Sequence, residues 1–411
     1  MAVVVALWLP AGPAMKARQG QVVPAQPSAP EIQRPVGSGG PPLEAAGPPA
    51  APPGQAAAPA PESAAPAVPE PYALAWTAPI DRGTNADTDF EMIATASVVI
   101  TGAPTVPLEA RALSDGHVVW TSPLTSRAFV RADDLVYGLD DGQVYALAAA
   151  SGEPRWQLDT DEPGRGLAVG TDLLLVLSEH AVRAFGRDDG APAWRTPLPA
   201  PAATTLAVSA TLAVVGLEDR SLLAFDPATG VIRWRTSFDD VPRAVTLAGD
   251  RVYLTLPLVA VCAVLPSSGR LDWCTAELRV PAVGPPVIYA DRLYLALLDT
   301  TLRAFDPNSG TMLRRDSLRG RPASAPMIVG AILLTPLLQN AFAVVRPSGA
   351  LTVVPAPGAP RTRSVRRVTM SEGTATVVVL TVEVAGRLHL SAYTLLPAVA
   401  SSNAAAPRFD P

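Results

Sequence analysis

Ser221–Phe238 reads SLLAFDPATGVIRWRTSF. Leu222-Leu223-Ala224-Phe225 is predicted to form a strand, Asp226-Pro227-Ala228-Thr229-Gly230 a turn, and Val231-Ile232-Arg233-Trp234 the returning strand. Proline presets φ for a turn and glycine tolerates φ > 0, so the loop carries its own mechanism. The pattern repeats along the chain. Glycine and tryptophan four residues apart recur as Gly116/Trp120, Gly152/Trp156, Gly190/Trp194, Gly230/Trp234 and Gly269/Trp273. Two copies without the ring follow, Gly310 with Arg314 and Gly349 with Val353. Successive glycines stand 36, 38, 40, 39, 41 and 39 residues apart. A period of about 40 without helical patterning points to a β-propeller or another repeat array.

An alanine stands six residues before each of the last six glycines: Ala146, Ala184, Ala224, Ala263, Ala304 and Ala343. The first copy is assigned a shorter turn and Ala112. In an antiparallel hairpin this alanine lies opposite the tryptophan on one face, and a small residue there lets the indole lie flat against the next unit. Trp120, Trp156, Trp194, Trp234 and Trp273 are therefore read as blade-docking residues, not as parts of a ligand site. Two further strand-like runs separate the copies, for example Ala203 to Ser209 and Thr211 to Gly216. Four short strands per copy make one antiparallel propeller blade.

Seven glycine-marked copies run from Phe90 to about Val354, and Ala375 to Val384 and Arg387 to Leu396 supply further strands. Tyr72 to Pro79, YALAWTAP, matches Val118 to Pro123, VVWTSP, and adds Trp76 to the series. The expectation is an all-β, eight-bladed propeller of four-stranded antiparallel blades, closed by pairing of the N-terminal and C-terminal strands. Seven blades, with Tyr72 to Pro79 merely flanking, is the alternative.

The 411-residue chain has a net charge of -5, which gives no reason to expect a nucleic-acid partner. Residues 1–19 include the apolar run AVVVALWL, Ala2 to Leu9, followed by small residues. This reads as part of a signal or anchor whose basic beginning lies upstream of Met1, or else as an apolar terminus of a cytosolic protein. Residues 20–71 form a Pro/Ala-rich segment, with fifteen prolines from Gln21 to Pro71. It is too poor in apolar surface to fold, and is either a tether or a low-complexity insert. The propeller domain is expected over 72–396 and a disordered tail over 397–411.

The runs VYALAAASGEPRW, LLAFDPATGVIRW and LRAFDPNSGTMLR resemble the pyrroloquinoline-quinone-type propeller repeat. Two branches share that repeat: quinone- and calcium-dependent dehydrogenases, and the non-enzymatic family of the outer-membrane protein assembly factor BamB. The dehydrogenases carry an adjacent Cys-Cys pair against the cofactor, whereas Cys262 and Cys274 here are twelve residues apart. His117, His180 and His389 are scattered without metal-ligand spacing. Asn85 to Asp89 and Asp159 to Asp161 lack the glycine and glutamate of a calcium loop.

The expectation is therefore a protein without catalytic residues, cofactor or metal site. It is read as a periplasmic or membrane-tethered interaction scaffold whose partners are envelope proteins, the resemblance implying outer-membrane assembly machinery. The BamB-type family normally carries an acylated cysteine after its signal, and no cysteine precedes Cys262 here. A quinone-dependent oxidoreductase or its degenerate relative is one alternative, and a tethered sensor ectodomain is another.

Cys262 and Cys274 flank the Pro266 to Gly269 turn symmetrically, and read either as a cross-strand disulfide or as two reduced thiols. Arginines gather late, as Arg314, Arg315, Arg319 and Arg321 and then Arg361, Arg363, Arg366 and Arg367 in the longest inter-blade loop. They read as a partner-binding face, since arginine suits carboxylates, or as ordinary solvated arginines.

Overall fold

The structure is a computed structural model; it describes residues 72–80, 90–140, 142–257, 261–275, 279–339, 341–355, 362–370, 376–383 and 388–395. The N-terminal apolar run, the Pro/Ala-rich segment, the calcium-like stretch Asn85 to Asp89 and the tail after 396 lie outside these residues.

Among the described residues the regular elements are all β. Seven blades are continuous stretches of chain: 91–122, 128–159, 164–197, 207–237, 244–274, 287–317 and 327–355. We number them one to seven. In each, four strands follow one another in sequence order and pair antiparallel. An eighth four-stranded sheet is of a different kind, because Tyr72–Ile80 pairs with Leu388–Leu395, followed by Thr376–Glu383 and Thr362–Met370. The expected eight blades are corrected accordingly. The chain has seven self-contained blades, not eight, and a composite sheet assembled from its two ends closes the ring.

The first strands of neighbouring blades touch one another, which places them innermost. Thr362–Met370, the inner strand of the composite sheet, touches Glu91–Ala94 of blade one and Ile332–Leu337 of blade seven. The Ala94 amide donates to Thr369 Oγ1 at 3.2 Å. This strand includes Arg363, Arg366 and Arg367, so the stretch read as a long loop is extended and paired with Thr376–Glu383. Its β-branched content, with Thr362, Val365, Val368 and Thr369, explains why it is a strand.

There is no single core. Eight apolar clusters each fill one interface between neighbouring sheets. Leu175, Leu177 and Val182 of blade three meet Ala213, Val215 and Leu223 of blade four, for example. This is why the middle strands read as continuous apolar runs: both faces are covered. Ser221–Phe225 is buried at every position, whereas the outermost Ile232–Ser237 has only Trp234 buried. The closing sheet is covered on both sides. Trp76, Ile80 and Leu390 pack on Phe90 and Val99 of blade one, and Tyr393 meets Phe342 of blade seven edge-on at 5.5 Å.

Candidate functional site

The repeated motif builds a joint between blades. In Ser221–Phe238 the Asp226 carboxylate accepts hydrogen bonds from the amides of Ala228 at 2.9 Å and Thr229 at 3.2 Å, and the Gly230 amide donates to the Asp226 carbonyl at 2.8 Å. Gly230 has φ +72°, the left-handed region that glycine enters at no steric cost. The hydrogen bond from Arg233, and then those backbone amides, hold the Asp226 carboxyl below its ordinary value. On the outer strand Trp234 lies opposite Ala224, with a one-residue bulge before Phe225 pairs with Ile232.

The same pairing joins Ala146 to Trp156, Ala184 to Trp194 and Ala263 to Trp273. Ala304 faces Arg314 and Ala343 faces Val353. In blade one the partner of Trp120 is Ala110, which corrects Ala112. Ala112 instead accepts the Gly116 amide at 3.0 Å, the position that Asp226 holds in blade four, so this turn is not shorter than the others. In the closing sheet Trp76 faces Ala392.

Each indole then reaches the turn of the following blade. A Cβ placed on Gly116, Gly152, Gly190, Gly230, Gly269 or Gly310 would fall within 3 Å of Trp76, Trp120, Trp156, Trp194, Trp234 or Trp273 respectively. The ring therefore rests on the bare face of the glycine. Its Nε1 donates to the carbonyl three residues before that glycine. The acceptors are Leu113 at 2.8 Å, Ala149 at 3.0 Å, Arg187 at 2.9 Å, Pro227 at 3.2 Å, Pro266 at 2.7 Å and Pro307 at 3.1 Å. Two threonines tighten the joint, since Thr196 and Thr236 donate to the Gly230 and Gly269 carbonyls at 2.6 Å and 2.5 Å. The sequence marks both glycine and tryptophan, but not that they belong to different blades' contacts. Hydrogen-bonded pairs 29 to 37 residues apart carry no local signal.

Cys262 and Cys274 are directly opposite in blade five and joined by a disulfide, with Cα atoms 4.1 Å apart. The neighbouring pair carries the hydrogen bond, Thr275 N to Val261 O at 2.9 Å, so the cysteines occupy a non-hydrogen-bonded position, where strands approach most closely. Both cysteines lie on the outer two strands of their blade. That arrangement does not fit the adjacent Cys-Cys pair with which the quinone-dependent branch grips its cofactor.

A pocket of about 320 Å³ opens between blades two and three, lined by Arg127, Glu162, Pro163, Gly164, Arg165, Glu179 and His180. Its charges are engaged with the protein. Glu162 accepts from Ser178 Oγ at 2.6 Å and from Arg195 at 3.0 Å, and these bonds hold its carboxyl below its ordinary value. Arg165 donates to the Ala202 carbonyl at 3.0 Å. In the second calcium-like stretch Asp161 pairs with Arg183 at 3.3 Å. Among the described residues no three His, Cys, Asp or Glu side chains converge on a point where a metal ion could sit. No helix among them is long and apolar enough to cross a membrane. Arg361 lies outside the described residues, as do the side chains of Arg363, Arg366 and Arg367.

The model of the family described as "Outer membrane protein assembly factor BamB" matches residues 140–277, blades two to five. No curated protein sequence matches the chain. Among solved structures, BamB from Moraxella catarrhalis is similar with 14% identity and a TM-score of 0.56, over 77% of this chain and 97% of that one. The computationally designed Ika8 protein is similar with 13% identity and a TM-score of 0.59, over 78% and 96%. A quinohemoprotein alcohol dehydrogenase, ADHIIG from Pseudomonas putida HK5, is similar with 13% identity and a TM-score of 0.59, over 82% and 78%. The chain thus resembles the BamB-type, quinone-repeat propellers, and at these identities the structural likeness speaks for the fold.

Proposed function

We propose that this chain is a non-catalytic interaction scaffold of the cell envelope, acting as BamB-type factors do in outer-membrane protein assembly. The observation that carries the reading is the family match across blades two to five. The disulfide supports an oxidising compartment such as the periplasm, because cytosolic thiols are kept reduced. A rigid ring of blades suits a scaffold, since it holds many inter-strand loops in fixed relation for protein partners. Chemical cross-linking in intact cells, followed by identification of the captured proteins, tests the reading. Cross-links to outer-membrane assembly components are expected, and their absence from cells that produce the folded protein would overturn it.

A second reading, a degenerate relative of quinone-dependent dehydrogenases, draws on the likeness to the quinohemoprotein alcohol dehydrogenase. Titration of the purified chain with pyrroloquinoline quinone and Ca²⁺, followed by absorbance and tryptophan fluorescence, separates the two. Saturable binding favours the second reading, and an unchanged spectrum favours the scaffold.

A further inference from the structure

The joint between blades six and seven departs from the six that carry a tryptophan. Its outer strand places Arg314 where those six place an indole, and Arg314 Nη1 donates to the Gly349 carbonyl at 2.7 Å. A second guanidinium reaches the same turn, since Arg292 Nη1 lies 2.9 Å from the point where a Cβ on Gly349 would sit.

Blade five shows what Arg292 lacks. Arg251, at the same place at the start of the second strand, is bound by Asp272 at 2.9 Å, Asp250 at 2.7 Å and Asn308 of the following turn at 3.2 Å. Counted from the turn glycines, Leu313 stands in place of Asp272 and Pro347 in place of Asn308. Asp291 is retained but makes no ion pair with Arg292 among the described residues. Asp316, bonded to Arg314 Nε at 2.8 Å, is the carboxylate of this joint. Blade six thus gains the guanidinium of Arg314 together with Asp316, which stands in place of Thr275, while Arg292 loses the equivalents of Asp272 and Asn308 that hold Arg251. Beside it Met312 and Leu313 are 53% and 52% exposed, among the most exposed large apolar side chains of the molecule.

We infer that this joint is a docking site for an acidic, apolar-flanked peptide segment of a partner protein, whose carboxylate is taken by Arg292 and Arg314. Guanidinium forks match carboxylates in a bidentate geometry, and the adjoining apolar side chains give such a segment a surface to bury. The inference rests on the scaffold reading and names the chemistry of one partner contact.

Fluorescence anisotropy of the full chain tests it, with a fluorescein-labelled peptide of alternating Glu and Leu and its Gln/Leu counterpart as probes. The Glu peptide is expected to bind and the Gln peptide to bind at least about tenfold more weakly. Arg292→Ala is expected to weaken the Glu peptide about tenfold. Arg314→Trp restores the indole found at six other joints and is expected to remove binding while the chain stays folded by circular dichroism. Equal binding of both peptides, binding unchanged by both substitutions, or full displacement by equimolar inorganic phosphate would each overturn the inference. Cross-linking to assembly components that survives Arg292→Ala would leave the scaffold reading standing while this site fails.

Discussion

The indole nitrogen of Trp234 donates a 2.7 Å hydrogen bond to the carbonyl of Pro266, in the turn of the next blade. The bond fixes a ring that covers the face of Gly269, and similar bonds recur at five other joints. Stability of the ring is therefore carried by contacts between blades as much as within them.

Trp234→Phe keeps most of the apolar area and removes the donor, leaving the Pro266 carbonyl without its partner. The expected cost is about 1 kcal/mol, against about 3 kcal/mol or more for Trp234→Ala. Urea unfolding of both variants measures the difference. Equal losses would mean that the ring packs but the hydrogen bond contributes nothing.

Two glycines with positive φ separate backbone strain from ring contact. Gly230 has φ +72° and would place a Cβ 2.5 Å from the Trp194 ring, whereas Gly249 has φ +58° and open space around it. Gly249→Ala is expected to cost about 1–2 kcal/mol from the left-handed backbone alone. Gly230→Ala adds about 1–3 kcal/mol of overpacking. Thermal unfolding of the pair checks the order, and a smaller loss at Gly230 would refute the contact.

Reduction of the Cys262–Cys274 bond releases a loop with a sequence separation of 12. A closed loop of that size contributes about 3 kcal/mol in the chain-entropy account. The melting temperature of the natural chain is expected to fall with dithiothreitol, and that of the double Cys→Ala variant to be insensitive to it. Two titratable thiols in the oxidised, denatured protein would exclude the bond.

Glu162 and Asp226 both have carboxyls held below their ordinary values, by Ser178 and Arg195 in one case and by Arg233 and backbone amides in the other. A folded-state value below the unfolded one contributes stability above the unfolded pKa, at about 4, and loses it as pH falls through the folded value. Unfolding free energy is therefore expected to be flat near neutrality and to decline below about pH 4. Glu162→Gln should flatten that decline. An unchanged slope would assign the acid sensitivity to other groups.

The joints explain which parts of the molecule could be read in advance. Gly230 and Trp234 are legible because backbone and packing demands allow few substitutes, and their spacing repeats. The partner of Trp120 is not legible, since two alanines, Ala110 and Ala112, stand where either could face it, and only the register selects Ala110. Strand Thr362–Met370 reads as loop because its three arginines and lysine-free polar pattern hide the β-branched residues between them. Arg292 offers no signal of its own. Its significance lies in the loss of Asp272 and Asn308 equivalents elsewhere in the sequence, visible once blades five and six are superposed residue by residue.

In the closing sheet Tyr72 stands opposite Leu395 and Ile80 opposite Leu388. The two strands run antiparallel, so the chain enters and leaves this sheet at the same end. A load applied between the two ends would act on the Tyr72–Leu395 pair first and peel the seam one pair at a time, as a zipper opens, without sliding the strands past each other. Tension from that direction meets the weakest mechanical arrangement that a sheet offers, whereas compression or torque across the blades meets eight packed interfaces.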